Sequence, residues 1–153
     1  MRFVPKFETN NQINHMPYPE MLVAPMRAEL TSQGFVELKT PEEVEQALNN
    51  QEGTTLVVVN SVCGCAAGSA RPGVLRSISG AKKPNRLLTV FAGQDLDATN
   101  KAREFFAPYP PSSPAIALFR DGALVHFVER HHIEGRTADM IASNLEQAYE
   151  TYC

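Results

Sequence analysis

The stretch Thr54-Thr55-Leu56-Val57-Val58-Val59-Asn60 decides the fold, and Ser61-Val62-Cys63-Gly64-Cys65 follows it without a break. The first seven residues are rich in β-branched side chains and almost uniformly apolar. A strand with one face in water alternates apolar and polar residues, whereas a run of this kind is covered on both faces. It reads as the centre of a sheet with helices on either side. Arg86-Leu87-Leu88-Thr89-Val90-Phe91 has the same character and supplies a second buried strand.

On the N-terminal side, Pro17 to Gln33 carries Leu22, Met26 and Leu30 at a spacing of four, with Gly34 as a stop. This is an amphipathic helix interrupted by Pro25. Phe35 to Leu38 is a short strand. Thr40-Pro41-Glu42-Glu43 is a helix start, with Thr40 as cap, Pro41 in the first turn and Glu43 closing a capping box. On the C-terminal side, Ala66 to Gly80 is a helix disturbed by Pro72 and Gly73. Asp95 to Phe106 is a helix that opens on acidic residues. Tyr109 to Pro114 is a rigid loop. Ala115 to Phe119, the turn Arg120-Asp121-Gly122 and Ala123 to Val128 form a hairpin. Thr137 to Tyr152 closes the chain as a helix.

The order is helix, β-α-β-α-β-α, β-hairpin, α. Helices alternating with buried strands imply an α/β three-layer sandwich, and the hairpin makes the central sheet mixed. After the extra N-terminal helix, this is the order of thioredoxin-like folds. Order by itself does not establish an activity.

Composition agrees with one globular domain of 153 residues, 43% hydrophobic and 20% charged. Residues 1–15 are polar and unpatterned and read as a flexible arm ahead of a domain spanning 16–153, with Met16 an alternative start. A net charge of −3 with no basic stripe argues against a nucleic-acid partner. The N-terminal residues lack the apolar stretch of a signal peptide. The longest apolar runs, Leu56 to Val59 and Ala115 to Phe119, are far too short to span a membrane. The expectation is a cytoplasmic protein, in a compartment that keeps thiols reduced.

Three cysteines in such a compartment point to redox or metal chemistry rather than to a structural disulfide framework. Cys63 falls just past the C-terminal end of a central strand and at the start of a helix. Ligands bind at this edge of α/β sheets, and the free N–H groups of a helix start favour a thiolate. Cys63 and Cys65 are separated by Gly64 alone, so closing a disulfide needs a bend that glycine permits. A strained pair of this kind is expected to be relatively oxidising. The second element of the site is Ser113-Pro114, directly before a strand. A cis-proline at this place in thioredoxin-like proteins faces the cysteines, and the backbone before it pairs with substrate.

These motifs carry a specific resemblance. Asn60-Ser61-Val62-Cys63-Gly64-Cys65-Ala66-Ala67-Gly68 with Ala70-Arg71-Pro72 resembles the bacilliredoxin family of bacterial thioredoxin-like proteins. So do Val90-Phe91-Ala92-Gly93, Pro111-Ser112-Ser113-Pro114, Leu124-Val125-His126-Phe127 and His132-Ile133-Glu134-Gly135-Arg136. The resemblance runs from about Pro17 to Cys153. It implies a thiol–disulfide oxidoreductase that releases the low-molecular-weight thiol bacillithiol, or a similar thiol, from mixed disulfides on client proteins. Cys63 is then the nucleophile, and Cys65 or a further bacillithiol resolves it. Gly64, Ser113 and Pro114 would contact substrate. The small thiol is a co-substrate, and no resident cofactor or metal is implied. Protein disulfide isomerase activity is linked to the same dithiol.

Other readings stand beside this one. Cys63 and Cys65 could be inert buried thiols, or could join Cys153, or His131 and His132, around zinc or an iron–sulfur cluster; the sequence offers no second tight ligand pair. His126 reads as a structural strand histidine, and His131 and His132 as surface residues. Arg71 reads as a helix-surface arginine, its functional alternative being to hold a thiolate. Cys153 reads as a free terminal thiol or an auxiliary resolving cysteine.

Overall fold

The computed structural model describes residues 17–49 and 51–153. The expected arm over 1–15 and the alternative start at Met16 lie outside the described residues. The elements are α1 (Glu20–Thr31), β1 (Val36–Glu37), α2 (Pro41–Leu48), β2 (Thr54–Asn60), α3 (Arg71–Ser77), β3 (Arg86–Phe91), α4 (Leu96–Glu104), β4 (Ala115–Arg120), β5 (Ala123–Val128) and α5 (Ala138–Tyr152). A π-helical turn at Ala66–Ala70 precedes α3, and a 3₁₀ turn at Arg130–His132 follows β5.

The five strands lie in the order β1-β3-β2-β4-β5. β1, β3 and β2 are parallel, and β4 and β5 are antiparallel to their neighbours. All seven residues of β2 are buried, as its uniform composition requires. Strand alternation then sorts them into two layers. Leu56 and Val58 pack with Leu30 of α1, Val74 of α3 and Ile141, Leu145 and Tyr149 of α5. Val57 and Val59 pack with Val44 and Leu48 of α2 and Ala98 and Ala102 of α4. The result is the three-layer α/β sandwich expected from the sequence.

Local chemistry explains where the elements begin and end. The Thr40 hydroxyl accepts from Glu43 N at 3.2 Å, and the Glu43 carboxylate accepts from Lys39 N at 3.2 Å, one residue outside the expected box. The hairpin turns at Asp121 (φ 50°) and Gly122 (φ 82°), the left-handed pair that joins twisted strands without splaying them. α4 starts one residue later than the acidic opening suggests. Asp95 does not cap it, because its carboxylate is drawn to Arg27 of α1 at 2.6 Å.

The expected single helix over 66–80 is two segments. Arg71 N bonds back to Ala66 O, the wide register of a π turn. Pro72 has no N–H to give the carbonyl four residues earlier, and the wider turn absorbs that gap before α3 continues. Among the described residues no helix is long and apolar enough to cross a membrane.

Candidate active site

Cys63 follows β2 by three residues and opens the helical segment. Its carbonyl accepts from Ala66 N at 2.9 Å and Ala67 N at 3.2 Å, as the carbonyl of a helix-capping residue does. Its sulfur accepts from Cys65 N at 3.3 Å. The sulfur therefore takes the capping place that an oxygen usually fills, and it points at the unpaired N–H groups of the helix start. Cys63 and Cys65 form a disulfide with their Cα atoms 5.3 Å apart. Cys65 packs against the α3/α5 side of the core, while Gly64 between them is exposed.

Gly64 corrects one expectation. It is helical and has no left-handed φ, so the bend that brings the sulfurs together is an ordinary helical turn. A Cβ built on Gly64 would meet nothing within 4 Å. The glycine thus leaves open space beside the sulfurs instead of supplying an unusual conformation.

A buried polar network holds this loop from below. Asn60, the last residue of β2, accepts from Ser61 N at 2.9 Å and donates to Met26 O of α1 at 3.1 Å. The Ser61 hydroxyl accepts from Cys63 N at 3.1 Å. Arg71 donates to the Asn60 side chain and the Ser61 carbonyl, each at 2.9 Å, and pairs with Glu29. Arg71 is 2% exposed. It is neither the surface arginine nor the thiolate holder of the sequence reading. The π turn rotates it inward, where it satisfies carbonyl oxygens that burial would otherwise leave unpaired.

The Ser113–Pro114 peptide is cis, and a second cis peptide occurs at Ala107–Pro108. Pro114 leads directly into Ala115, which pairs with Val59 near the end of β2. The proline loop and the cysteine loop therefore meet at one edge of the sheet. Arg130, just after β5, joins them. Its Nη1 donates to Ser113 O at 3.1 Å and its Nη2 to Cys63 Sγ at 3.4 Å.

Arg130 is the site residue that sequence reasoning missed. The available signal is its place in the charged run Glu129-Arg130-His131-His132 at the end of the hairpin. His131 and His132 are exposed, and His126 is half-buried and bonded to Asn144 Oδ1 at 2.8 Å.

The structure does not assemble the alternative metal site. Among the described residues, the one group of three ligating side chains is Glu129, His131 and His132, which includes no cysteine. Cys153 lines a hollow with Gly53, Thr54 and Asp121, at the opposite end of β2 from Cys63. That separation also removes Cys153 as a resolving thiol within the same chain.

Solved structures similar to this one include thioredoxins. Mitochondrial thioredoxin 3 of Saccharomyces cerevisiae aligns with a TM-score of 0.53 at 15% identity, covering 80% of this chain and 98% of its own. The thioredoxin of Malassezia sympodialis aligns at 0.53 and 16%, covering 78% and 91%. At such identities they show the fold alone. Together with the relatives below, the fold defines a thiol–disulfide oxidoreductase of thioredoxin-like architecture. A family model described as "Disulphide isomerase" matches residues 18–153. The bacilliredoxin of Cytophaga hutchinsonii is 65% identical over 133 residues, which cover 87% of this chain and 98% of that protein. The bacilliredoxin of Halalkalibacterium halodurans is 53% identical over 141 residues, covering 92% and 98%. The chain belongs to the bacilliredoxin family.

Proposed function

We propose that this protein works in the cytoplasm to remove bacillithiol, or a similar low-molecular-weight thiol, from mixed disulfides on client proteins. The observation that carries the reading is the placement of the Cys63–Cys65 pair at a helix start, facing the cis-Pro114 loop. Cys63 attacks because its sulfur sits at the helix start and receives the Cys65 N–H there. Cys65 acts second, from its position against the core. Gly64, Ser113 and Pro114 form the surface on which the mixed disulfide lies, and the open space over Gly64 admits it. The exchange uses two sulfurs and needs no resident metal or cofactor. Client protein and small thiol are the partners, with no role for nucleic acid or membrane.

A second reading, protein disulfide isomerase, is favoured by the description of the matching family. One experiment separates the two. The reduced protein is incubated with a client carrying a single bacillithiol adduct, and separately with a scrambled multi-disulfide client. Loss of the adduct, followed by mass, supports the proposal. An adduct that persists while the scrambled client is re-paired moves the function to isomerisation.

A further inference from the structure

We propose that Arg130 is a catalytic residue of the exchange, whose guanidinium keeps the Cys63 sulfur in its thiolate form; this rests on the reading of Cys63 as the nucleophile. The guanidinium is fixed on three sides. Nη2 reaches Cys63 Sγ at 3.4 Å, Nη1 reaches Ser113 O at 3.1 Å and Nε reaches Glu134 at 2.5 Å. The Arg130 backbone N–H donates to Ser112 Oγ at 3.3 Å, which ties its strand end to the proline loop. Three anchors remove the freedom that makes most surface arginines inconsequential. With its side chain 45% exposed, Arg130 has no core to hold together.

The chemistry follows from charge. A guanidinium stays protonated throughout the working range, and a fixed cation beside a thiol favours the thiolate. The Cys63 thiolate attacks the small-thiol sulfur of the mixed disulfide. A Cys63–small-thiol bond forms, and the client sulfur leaves as a thiolate that takes a proton from water. Cys65 then loses its proton to solvent and attacks the Cys63 sulfur. The Cys63–Cys65 bond forms, and the small thiol leaves as a thiolate. Two electrons have passed from the dithiol to the mixed disulfide, and two further low-molecular-weight thiols return them by becoming a disulfide. In that return step Cys63 departs as a thiolate beside the same guanidinium, and a better-stabilised leaving sulfur departs faster.

Other charged groups near Cys63 are known by element. Arg71 lies beneath the loop and is spent on Asn60, Ser61 and Glu29. The segment between β5 and α5 contributes Glu129, His131, His132, Glu134 and Arg136 besides Arg130, the Arg136 carbonyl accepting from Ser69 Oγ of the π turn, and the loop Ser112-Ser113-Pro114 contributes none. Arg130 is the cation in contact with the sulfur.

The test measures iodoacetamide alkylation of Cys63 against pH in a Cys65→Ser, Cys153→Ser background, where Cys63 is the single thiol. Arg130→Gln should raise the apparent pKa of alkylation by about one unit, which lowers the thiolate fraction below that pKa about tenfold and, because a more basic thiolate is more nucleophilic, the rate about threefold. Arg130→Lys, which keeps the charge, should recover part of the shift. A Gln variant within about 0.2 unit of its parent, or a Lys variant displaced as far as Gln, overturns the proposal. Failure here is distinguishable from failure of the proposed function. An unshifted pKa with intact de-thiolation removes Arg130 alone, whereas de-thiolation surviving Cys63→Ser removes the exchange reading itself.

Discussion

Gly73→Ala tests how the site helix is seated. Gly73 is in α3, and a Cβ there would lie 2.7 Å from Ile141 Cβ, 2.8 Å from Ile141 Cγ2 and 2.9 Å from Ala138 O. Ordinary contact needs at least about half an ångström more in each case. The Ala138 oxygen is backbone and cannot rotate aside, so α5 as a whole must recede. Ile141, Leu145, Ala148 and Tyr149 all pack from that helix into one core layer. Overpacking of this kind costs about 1–3 kcal/mol, while alanine regains about 0.5–1 kcal/mol of helix propensity. The clash should win by about 1–2 kcal/mol. Urea unfolding reads this directly: at an m-value of about 2 kcal/mol/M the midpoint falls by about 0.5–1 M with m unchanged. Gly68→Ala is the contrast, since a Cβ there meets nothing within 4 Å. It should be neutral or stabilising. A Gly73→Ala protein as stable as its parent would refute the close α3–α5 seating.

Arg27, with its side chain 8% exposed, joins Glu20, Glu37 and Asp95 and so ties α1 to β1 and to the start of α4. Arg27→Leu leaves the largely buried Asp95 carboxylate without its cation and Glu37 with only the exposed Lys39 at 3.8 Å; a loss of about 3 kcal/mol should lower Tm by roughly 6–12 °C, and a smaller change than that in a thermal melt contradicts the tie. Burial raises the Tyr149 phenol well above its usual range, although its contact with the Ser77 hydroxyl at 2.9 Å opposes the shift. With the folded pKa above the unfolded value of about 10, the unfolded chain releases its proton first, so stability falls as pH rises past about 10. Tyr149→Phe should show a shallower alkaline decline in urea midpoints measured from pH 9 upward, and an unchanged slope would refute the linkage.

Legibility from sequence followed the strength of local signals. β2 was readable because seven buried residues in a row leave no other arrangement, and the hairpin because Asp121-Gly122 fits one turn. The dithiol was readable because two cysteines beside a strand end are chemically specific. What escaped depended on tertiary neighbours. Asp95 looks like the acidic first residue of a helix until Arg27 claims its carboxylate across the fold. Arg71 looks like a surface residue until the π turn, forced by Pro72, rotates it under the loop. Gly64 suggests a conformational role, yet an ordinary helical turn suffices. Arg130 lies 67 positions from Cys63, and no sequence spacing announces that a strand end will deliver it to the sulfur.

The order of attack is the central claim, and trapping measures it most directly. Cys65→Ser and Cys63→Ser proteins are each incubated with a client carrying one bacillithiol adduct, and the modified peptide is located by mass. The account predicts that Cys65→Ser becomes mixed-disulfide modified on Cys63 and stalls until external thiol resolves it, while Cys63→Ser releases nothing. An adduct collected on Cys65 in the Cys63→Ser protein, with Cys65→Ser unmodified, would contradict it.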